Sequence, residues 1–250
     1  MNYPLIKPKY YYSLYCDIFN FIKQPHDKKD IEKSTRFKVY DTVGLYVLKF
    51  IFLIPVILFF AVVYDPENIQ SVKMTERFSP AMLLLVGGIL LPFLEEIGFR
   101  LSLVFKPIYF ALSSSVCTYY FLTKVVFNTK ISMVDESFLL RVIISVSFGA
   151  LLYLIFNIQS IKKRLVSFWE TNFRGIFYFS CIAFAWMHIT KYEITLLNIL
   201  LLPILTIPQL FSAIIYGYIR LSFGFIYPLM LHMGMNTLVI SISLLTGSSI

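Results

Sequence analysis

The sequence predicts an all-α integral membrane protein, a polytopic bundle of about seven transmembrane helices. Hydrophobic residues make up 58% of the 250 residues and charged residues only 14%, against roughly 25% in soluble proteins. The formal charge of +8 reflects few acids (14) more than many bases (22). Together with the long apolar stretches described next, this composition excludes a disordered chain and a nucleic-acid-binding protein.

Seven apolar stretches are candidates for membrane crossing, which takes about 20 residues of helix. They lie at residues 43–64, 80–99, 107–127, 138–159, 175–189, 194–218 and 225–245. The bounds of the third and fifth stretches are the least sharply defined, so the expected count is six to eight helices.

The first four stretches differ in the charges that they contain. The first holds one charge, Lys49, and the second is apolar until it meets Glu95 and Glu96. Lys124 and Arg141 lie near the ends of the third and fourth stretches, where a long basic side chain is expected to snorkel towards water. Lys49 is expected to snorkel or to form an ion pair.

The last three stretches carry the remaining polar and helix-breaking residues. The fifth ends at His188, and the sixth is interrupted by Pro203 and Pro208. The seventh contains His232 and, four residues later, Asn236, so these two side chains share one face of a helix.

A basic, aromatic segment at residues 1–42 precedes the transmembrane domain at residues 43–250. Its bases are Lys7, Lys9, Lys23, Lys28, Lys29, Lys33, Arg36 and Lys38. The segment has no uninterrupted apolar core, so it is not a cleaved signal peptide, and we expect it in the cytosol or at the membrane interface. The loops on its side of the membrane carry more bases than the opposite loops, which indicates a cytoplasmic N-terminus.

The polar residues within the apolar stretches are candidate functional residues, because an ionisable group in hydrocarbon costs roughly 2.5–3.5 kcal/mol. Glu96 and Arg100 are four residues apart and can form an ion pair on a helix, whereas Glu95 points about 100° away. Each residue also has a structural interpretation: the carboxylates could mark a helix end, and a buried histidine is often a core residue. Two histidines, an amide and two carboxylates in three stretches favour a functional site.

Two prolines lie close to these candidate residues. Pro92 precedes Glu95 by three residues, and Pro228 precedes His232 by four. Proline removes an intrahelical hydrogen bond and frees a carbonyl, which membrane helices tolerate where the backbone lines a polar cavity. The prolines therefore indicate such a cavity near both residues.

Three motifs, taken in chain order, resemble those of the CPBP family, the CAAX-protease and bacteriocin-processing (Abi) intramembrane endopeptidases. They are Glu95-Glu96-x-x-x-Arg100, Phe184-x-x-x-His188 and His232-x-x-x-Asn236. The resemblance covers about residues 80–245, and residues 1–79 carry no family signature. Each motif alone is unspecific, but all three in this order, each at a membrane helix, make a strong joint signal.

Membership of this family implies a four-helix catalytic core around a polar cavity, in which water attacks a peptide bond. By the resemblance, Glu95 and His188 activate the water, and His232 and Asn236 stabilise the oxyanion. The residues that the resemblance assigns to supporting the site are Glu96, Arg100 and Phe184.

The role of a metal stays open at this point. Glu95, His188 and His232 could bind Zn²⁺ with one position left for water. The sequence has no His-Glu-x-x-His motif, and its histidines come from separate stretches. This favours a mechanism without a tightly bound metal.

The expected substrate is a membrane-embedded peptide or protein, and the short chain suggests a member from the bacterial inner (cytoplasmic) membrane. Bacterial relatives in this family process peptides or confer immunity to bacteriocins. The alternative is a non-catalytic immunity factor or scaffold on the same fold, because fold does not fix function. A small transporter with carboxylate proton relays is a third class, which the lack of internal repeats disfavours.

Overall fold

The computed structural model describes residues 4–27, 33–64, 66–69 and 74–246, and within them it contains helices and loops but no strand. Four of its helices are long and apolar enough to cross a membrane: Thr35–Val62, Pro80–Leu103, Phe138–Phe156 and Ile226–Thr246. The all-α prediction is thus confirmed for these residues, and the four apolar helices are those expected of a membrane protein. The count of seven spans stays a prediction. Two bases of the N-terminal segment, Lys28 and Lys29, lie outside the described residues.

The helices are labelled here in chain order. They are α1 Pro8–Lys23, α2 Thr35–Val62, α3 Pro80–Leu103, α4 Pro107–Phe121, α5 Phe138–Phe156, α6 Gln159–Met187, α7 Leu196–Leu200, α8 Leu202–Leu205, α9 Ile207–Phe223 and α10 Ile226–Thr246.

Proline occupies one of the first two positions in several of these helices, where its missing N–H has no intrahelical partner to lose. The helices that begin in this way are α1, α3, α4, α8 and α9. The predicted interruption of the sixth stretch by Pro203 and Pro208 is confirmed, because each of these prolines begins a new helix there.

Two of the helices contain π-helical segments. In α3, a π segment at Leu84–Leu90 separates the first turn from the α-helical segment Leu91–Phe99. The C-terminal end of α4 continues as a π segment at Leu122–Val126. Such segments are often found at functional sites, and residues of both line the cavity described below.

The fifth predicted stretch is the second half of α6, a helix of 29 residues. The Trp169 indole N–H donates to the Leu103 carbonyl at 3.4 Å, and the Ser180 hydroxyl donates to the Phe99 carbonyl at 2.6 Å. Later residues of α6 therefore meet earlier residues of α3, so the two helices run antiparallel. As a result, α6 ends beside the interior of α3, and this brings His188 to the candidate site.

The N-terminal segment joins the helical bundle through α1. Phe21 is buried and makes edge-to-face contacts with Phe177 and Tyr218, at ring-centroid distances of 5.2 and 5.0 Å. The Tyr178 hydroxyl donates to the Ile22 carbonyl at the end of the same helix. These contacts connect α1 to α6 and α9, two of the helices that border the cavity described below.

Arg141 does not snorkel, so that prediction is wrong. Its side chain is fully buried and donates to Thr123 Oγ1 and to the Met133 carbonyl, both at 2.9 Å. It also donates to Asp135 Oδ1 at 3.0 Å and to Ser137 Oγ at 3.1 Å. The loop between α4 and α5 supplies most of these acceptors, and a guanidinium with its fork of donors can satisfy several at once.

This loop makes a pH-dependent contribution to stability. Hydrogen bonds from Ser137, together with Thr129 and Arg141, lower the pKa of Asp135 to about 2, below an ordinary value of about 3.9. Because the folded state lowers the pKa, the stabilisation is complete above about pH 4 and is lost as the pH falls towards about 2. We expect wild type to melt at a higher temperature than Asp135→Asn at neutral pH, and the two melting temperatures to converge in acid. Glu136→Gln is the matched control, and a difference that persists unchanged at about pH 2 would contradict the role of the Asp135 carboxylate.

Candidate active site

A cavity of about 720 Å³ lies between α2, α3, α4, α6, α9 and α10. Five of the seven residues predicted for the site line it: Glu95, Phe184, His188, His232 and Asn236. They come from α3, from the C-terminal end of α6 and from α10, which are far apart in sequence. The other two predicted residues, Glu96 and Arg100, are buried against the same group.

His232 lies between the two glutamates of α3. Its Nδ1 atom is 2.8 Å from Glu96 Oε1, and its Nε2 atom is 3.7 Å from Glu95 Oε2. An ionised carboxylate can only accept hydrogen bonds, so Nδ1 carries a hydrogen and donates it to Glu96. The Nε2 atom is then the nitrogen on the side of Glu95. A carboxylate at Nδ1 orients the imidazole and fixes its tautomer, as in a Ser-His-Asp triad.

His188 caps the C-terminal end of α6. Its Nδ1 atom is 2.7 Å from the carbonyl oxygen of Phe184, and since a carbonyl only accepts, Nδ1 is the protonated nitrogen. This bond satisfies one of the carbonyls that a helix end leaves without a partner, and it explains the four-residue spacing of the motif. The Nε2 atom of this tautomer has a lone pair that can accept a proton.

Arg100 connects the α3 motif with the α6 motif. Its NH1 atom is 3.6 Å from Glu96 Oε1, which confirms the ion pair predicted from their spacing. Its guanidinium carbon lies 3.7 Å from the centre of the Phe184 ring, a cation–π contact in a desolvated place. Glu96 therefore lies between the cationic Arg100 and the hydrogen-bond donor His232. Phe184 supports Arg100 through the cation–π contact.

Asn236 compensates for the helix break at Pro92. The N–H of Leu91 donates to the carbonyl of Val86, and the same π register would pair the Gly87 carbonyl with the N–H of residue 92. Proline has no N–H, and the Asn236 Nδ2 atom instead donates to the Gly87 carbonyl at 3.4 Å. This is the freed carbonyl that the sequence predicted.

Pro228 has a different role from Pro92. It is the third residue of α10, within the first turn, where the N–H groups have no intrahelical partner. It therefore marks the start of the helix and does not break it, so the predicted freed carbonyl at this proline is wrong.

Two glycines of the π segment allow α10 to approach α3 closely. A β-carbon at Gly88 would lie 2.7 Å from Thr237 Oγ1 and 3.2 Å from the Thr237 α-carbon. A β-carbon at Gly87 would lie 2.9 Å from the side chain of Ile240. This close approach brings His232 to the glutamates, and Asn236, the residue before Thr237, to the Gly87 carbonyl.

The metal site predicted from the sequence comprises Glu95, His188 and His232. Within the part of the chain that the structure describes, no three His, Cys, Asp or Glu side chains group closely enough to hold a metal ion. Nδ1 of His232 is engaged by Glu96, and Nδ1 of His188 is engaged by a carbonyl, which leaves the Nε2 atom of each ring as the nitrogen that could face a metal. A metal held by Glu95, His188 and His232 therefore stays a prediction, and the chemistry below is derived from the side chains.

Sequence reasoning missed three residues at the cavity. The Tyr216 ring lies 5.1 Å from the His232 ring, and it is buried between α9 and the site. Lys49 and Lys191 also line the cavity. A charge inside an apolar stretch is a signal of function. The charge of Lys49 is such a signal, but the sequence favoured snorkelling or ion pairing as its explanation. No sequence pattern distinguishes Tyr216 from the other tyrosines.

Comparison with known proteins adds no further information on the site. No protein-family model, curated protein or solved structure matches this chain. The resemblance of the three motifs to the CPBP family therefore stays a prediction from the residues themselves.

Proposed function

We propose that the protein is an intramembrane endopeptidase, of the kind that its CPBP-like motifs imply, which hydrolyses hydrophobic membrane-associated peptides or proteins. The observation that carries the proposal is that Glu95, His188, His232 and Asn236 line one cavity in a bundle of apolar helices. Each of these polar groups is costly in a membrane. Amide hydrolysis needs a base for water and donors for the developing oxyanion, and this set supplies both.

The reaction begins with a water molecule between Glu95 and His188. Glu95, assisted by the lone pair on His188 Nε2, takes a proton from the water as its oxygen attacks the carbonyl carbon of the substrate. The carbonyl oxygen then carries the negative charge of a tetrahedral intermediate. When the C–N bond breaks, the proton passes from Glu95 to the leaving amine, and the other proton of the water also ends on that amine, so the products are a carboxylate and an ammonium group.

The donors for the oxyanion come from α10. His232, whose ring the Glu96 carboxylate orients at Nδ1, donates through Nε2–H when it carries a proton on both nitrogens. Asn236 has a second N–H besides the one given to Gly87. Arg100 acts through Glu96, whose carboxylate it orients, and is a positioning residue.

The proposal includes a multi-pass bundle of seven spans in the bacterial cytoplasmic membrane, with the N-terminus in the cytoplasm. Four helices meet the criteria of length and apolarity. The helical segments α4, the second half of α6, and α7 to α9 occupy the three remaining apolar stretches. The excess of bases in the N-terminal segment and its neighbouring loops supports the orientation.

The proposal is tested by incubating the purified protein, in liposomes, with hydrophobic peptides in water enriched in ¹⁸O. Because water is the nucleophile, we expect cleaved peptides whose new carboxylate contains ¹⁸O, detected by mass spectrometry. If the peptides stay intact while a membrane protein is retained by the purified chain, the non-catalytic scaffold or immunity factor replaces the peptidase.

Asn236→Ala is expected to lower the turnover number by roughly 10²–10³, the effect of losing one oxyanion donor, with little change in KM. The same variant also leaves the Gly87 carbonyl without its donor. Pro92→Ala supplies a backbone N–H that can replace it, so the double variant separates the two roles. We expect turnover to stay low in the double variant. Recovery there would assign Asn236 to the backbone alone.

A further inference from the structure

The cavity is lined by many more cations than anions. Among the described residues that line it, the only carboxylate is Glu95, the proposed base. The basic side chains that line it are Lys49, Arg77, Lys124, Lys130 and Lys191. A hydrophobic peptide alone gives no reason for such an excess of positive charge.

Lys49 is the most unusual of these cations because of its place in α2. It lies in the interior of α2, 13 residues before Val62, and it lines the cavity. Its side chain is only 9% exposed. Within the described ranges it forms no ion pair, and its ammonium lies 5.0 and 5.7 Å from the ring centres of Tyr46 and Phe50.

Lys191 is the second cation close to the proposed chemistry. It ends the short 3-10 turn that begins at His188, and it lines the same cavity as Glu95 and Lys49. Within the described residues it, too, forms no ion pair by distance. The cavity therefore holds these two lysines and one carboxylate, which faces His232.

An unpaired ammonium buried in a membrane protein is costly unless an anion pairs with it. Glu95 cannot neutralise both lysines and also act as the base, so a bound anion would supply the negative charge that these side chains lack. We propose that Lys49 and Lys191 form a subsite for a substrate carboxylate, either an acidic side chain or the C-terminal carboxylate of the peptide. This inference rests on the proposed peptidase function, since it specifies the substrate of that site.

The position of Lys191 relates this carboxylate to the cleaved bond. Lys191 follows His188 by three residues in a 3-10 turn, a rise of about 6 Å, which corresponds to about two residues of extended peptide. The carboxylate is therefore expected within about two residues of the scissile bond.

The subsite is tested by binding, so that no turnover is needed. The protein carries Glu95→Gln and is placed in nanodiscs of neutral phosphatidylcholine. The probes are dye-labelled Leu/Ala-rich peptides that differ only in a Glu or a Gln, or in a free or an amidated C-terminus. We expect the carboxylate forms to bind about 10- to 100-fold more tightly, the worth of a charge-assisted hydrogen bond. The pair of probes also distinguishes the two sources of the carboxylate.

Lys49→Met and Lys191→Met should each remove this preference, and Lys49→Arg should retain it. Lys163→Met, in the first half of α6 and away from the cavity, is the matched control. Equal binding of both peptide forms overturns the subsite, as does a preference that survives both Met variants in protein that melts normally. A lysine-dependent affinity for phosphatidylglycerol in place of the peptides would assign the cations to lipid and overturn it also.

Failure of this inference is distinguishable from failure of the proposed function. If wild type cleaves both peptide forms and the binding preference is absent, the peptidase stands without the anion subsite. If the preference is present and wild type cleaves neither form, the subsite belongs to a binding protein and the peptidase falls.

Discussion

Glu95→Gln is expected to reduce hydrolysis of hydrophobic peptides by at least about 10²–10⁴-fold, the contribution of a general base. Glutamine has nearly the same shape and keeps an acceptor oxygen near His232, but it cannot take a proton from water. Glu95 makes no ion pair with Arg100, whose partner is Glu96, so the variant should fold and insert normally. Turnover is measured with purified protein in liposomes, at matched amounts.

The control for this variant is Glu170→Gln, which removes the same charge from an exposed position on α6. It should leave turnover unchanged. Cleavage at an undiminished rate by the Glu95 variant would remove this carboxylate from the mechanism. His188→Ala would then be the variant to compare, because its Nε2 atom is the other group able to accept the proton.

Arg100→Met is expected to lower the free energy of unfolding by about 3–5 kcal/mol, the usual effect of removing one partner of a buried ion pair. Arg100 and Glu96 are both almost fully buried, so the carboxylate that remains loses its ion-pair partner on α3 and keeps the hydrogen bond from His232. The cation–π contact with Phe184 is lost in the same variant. Melting in detergent measures the loss.

A double-mutant cycle with Glu96→Gln separates the ion pair from the loss of packing. The double variant should be more stable than the sum of the two single effects predicts, because no buried charge is left unpaired. If the two effects simply add, or if Arg100→Met melts like wild type, the ion pair does not stabilise the fold. Glu96→Gln should also reduce turnover, since it removes the carboxylate that orients His232.

Much of the fold could be predicted because local rules decide it. The apolar stretches gave the helices, and prolines such as Pro203 and Pro208 marked where helices begin. The π segment at Leu84–Leu90 could not be predicted, because a π register depends on how α10 packs against the glycines. The length of α6 was missed for a related reason: its first half is polar and has no transmembrane signal.

The candidate site could be predicted only within each helix. The Glu96–Arg100 ion pair was predicted from its four-residue spacing. The hydrogen bond between His188 and the Phe184 carbonyl has the same spacing but was recognised only in the structure. The contact of His232 with Glu96 joins residues 136 apart in the sequence, and no local pattern specifies it. It changes the role of Glu96 from a partner of Arg100 alone to the residue that also orients the imidazole.

Single charges in apolar stretches were the least predictable feature. The sequence positions of Lys49 and Arg141 were both compatible with snorkelling. Whether such a side chain is buried depends on the direction in which it faces, and the sequence does not specify that direction. In the structure, the Arg141 side chain joins a polar network, and Lys49 lines the cavity. In a membrane bundle, inward-facing charges have to find partners from other helices or from a ligand.

The central claim is that this chain cuts peptides with Glu95 as the base. It is tested most directly by comparing all peptides and protein termini in cells that express wild type with those in cells that express Glu95→Gln at matched levels. We predict new termini that appear only with wild type, in hydrophobic membrane-associated substrates, with an acidic residue or a free C-terminus close to the cut. Identical termini in the two cultures, with the Glu95 variant retaining any phenotype of wild type, would contradict the claim and favour a binding protein.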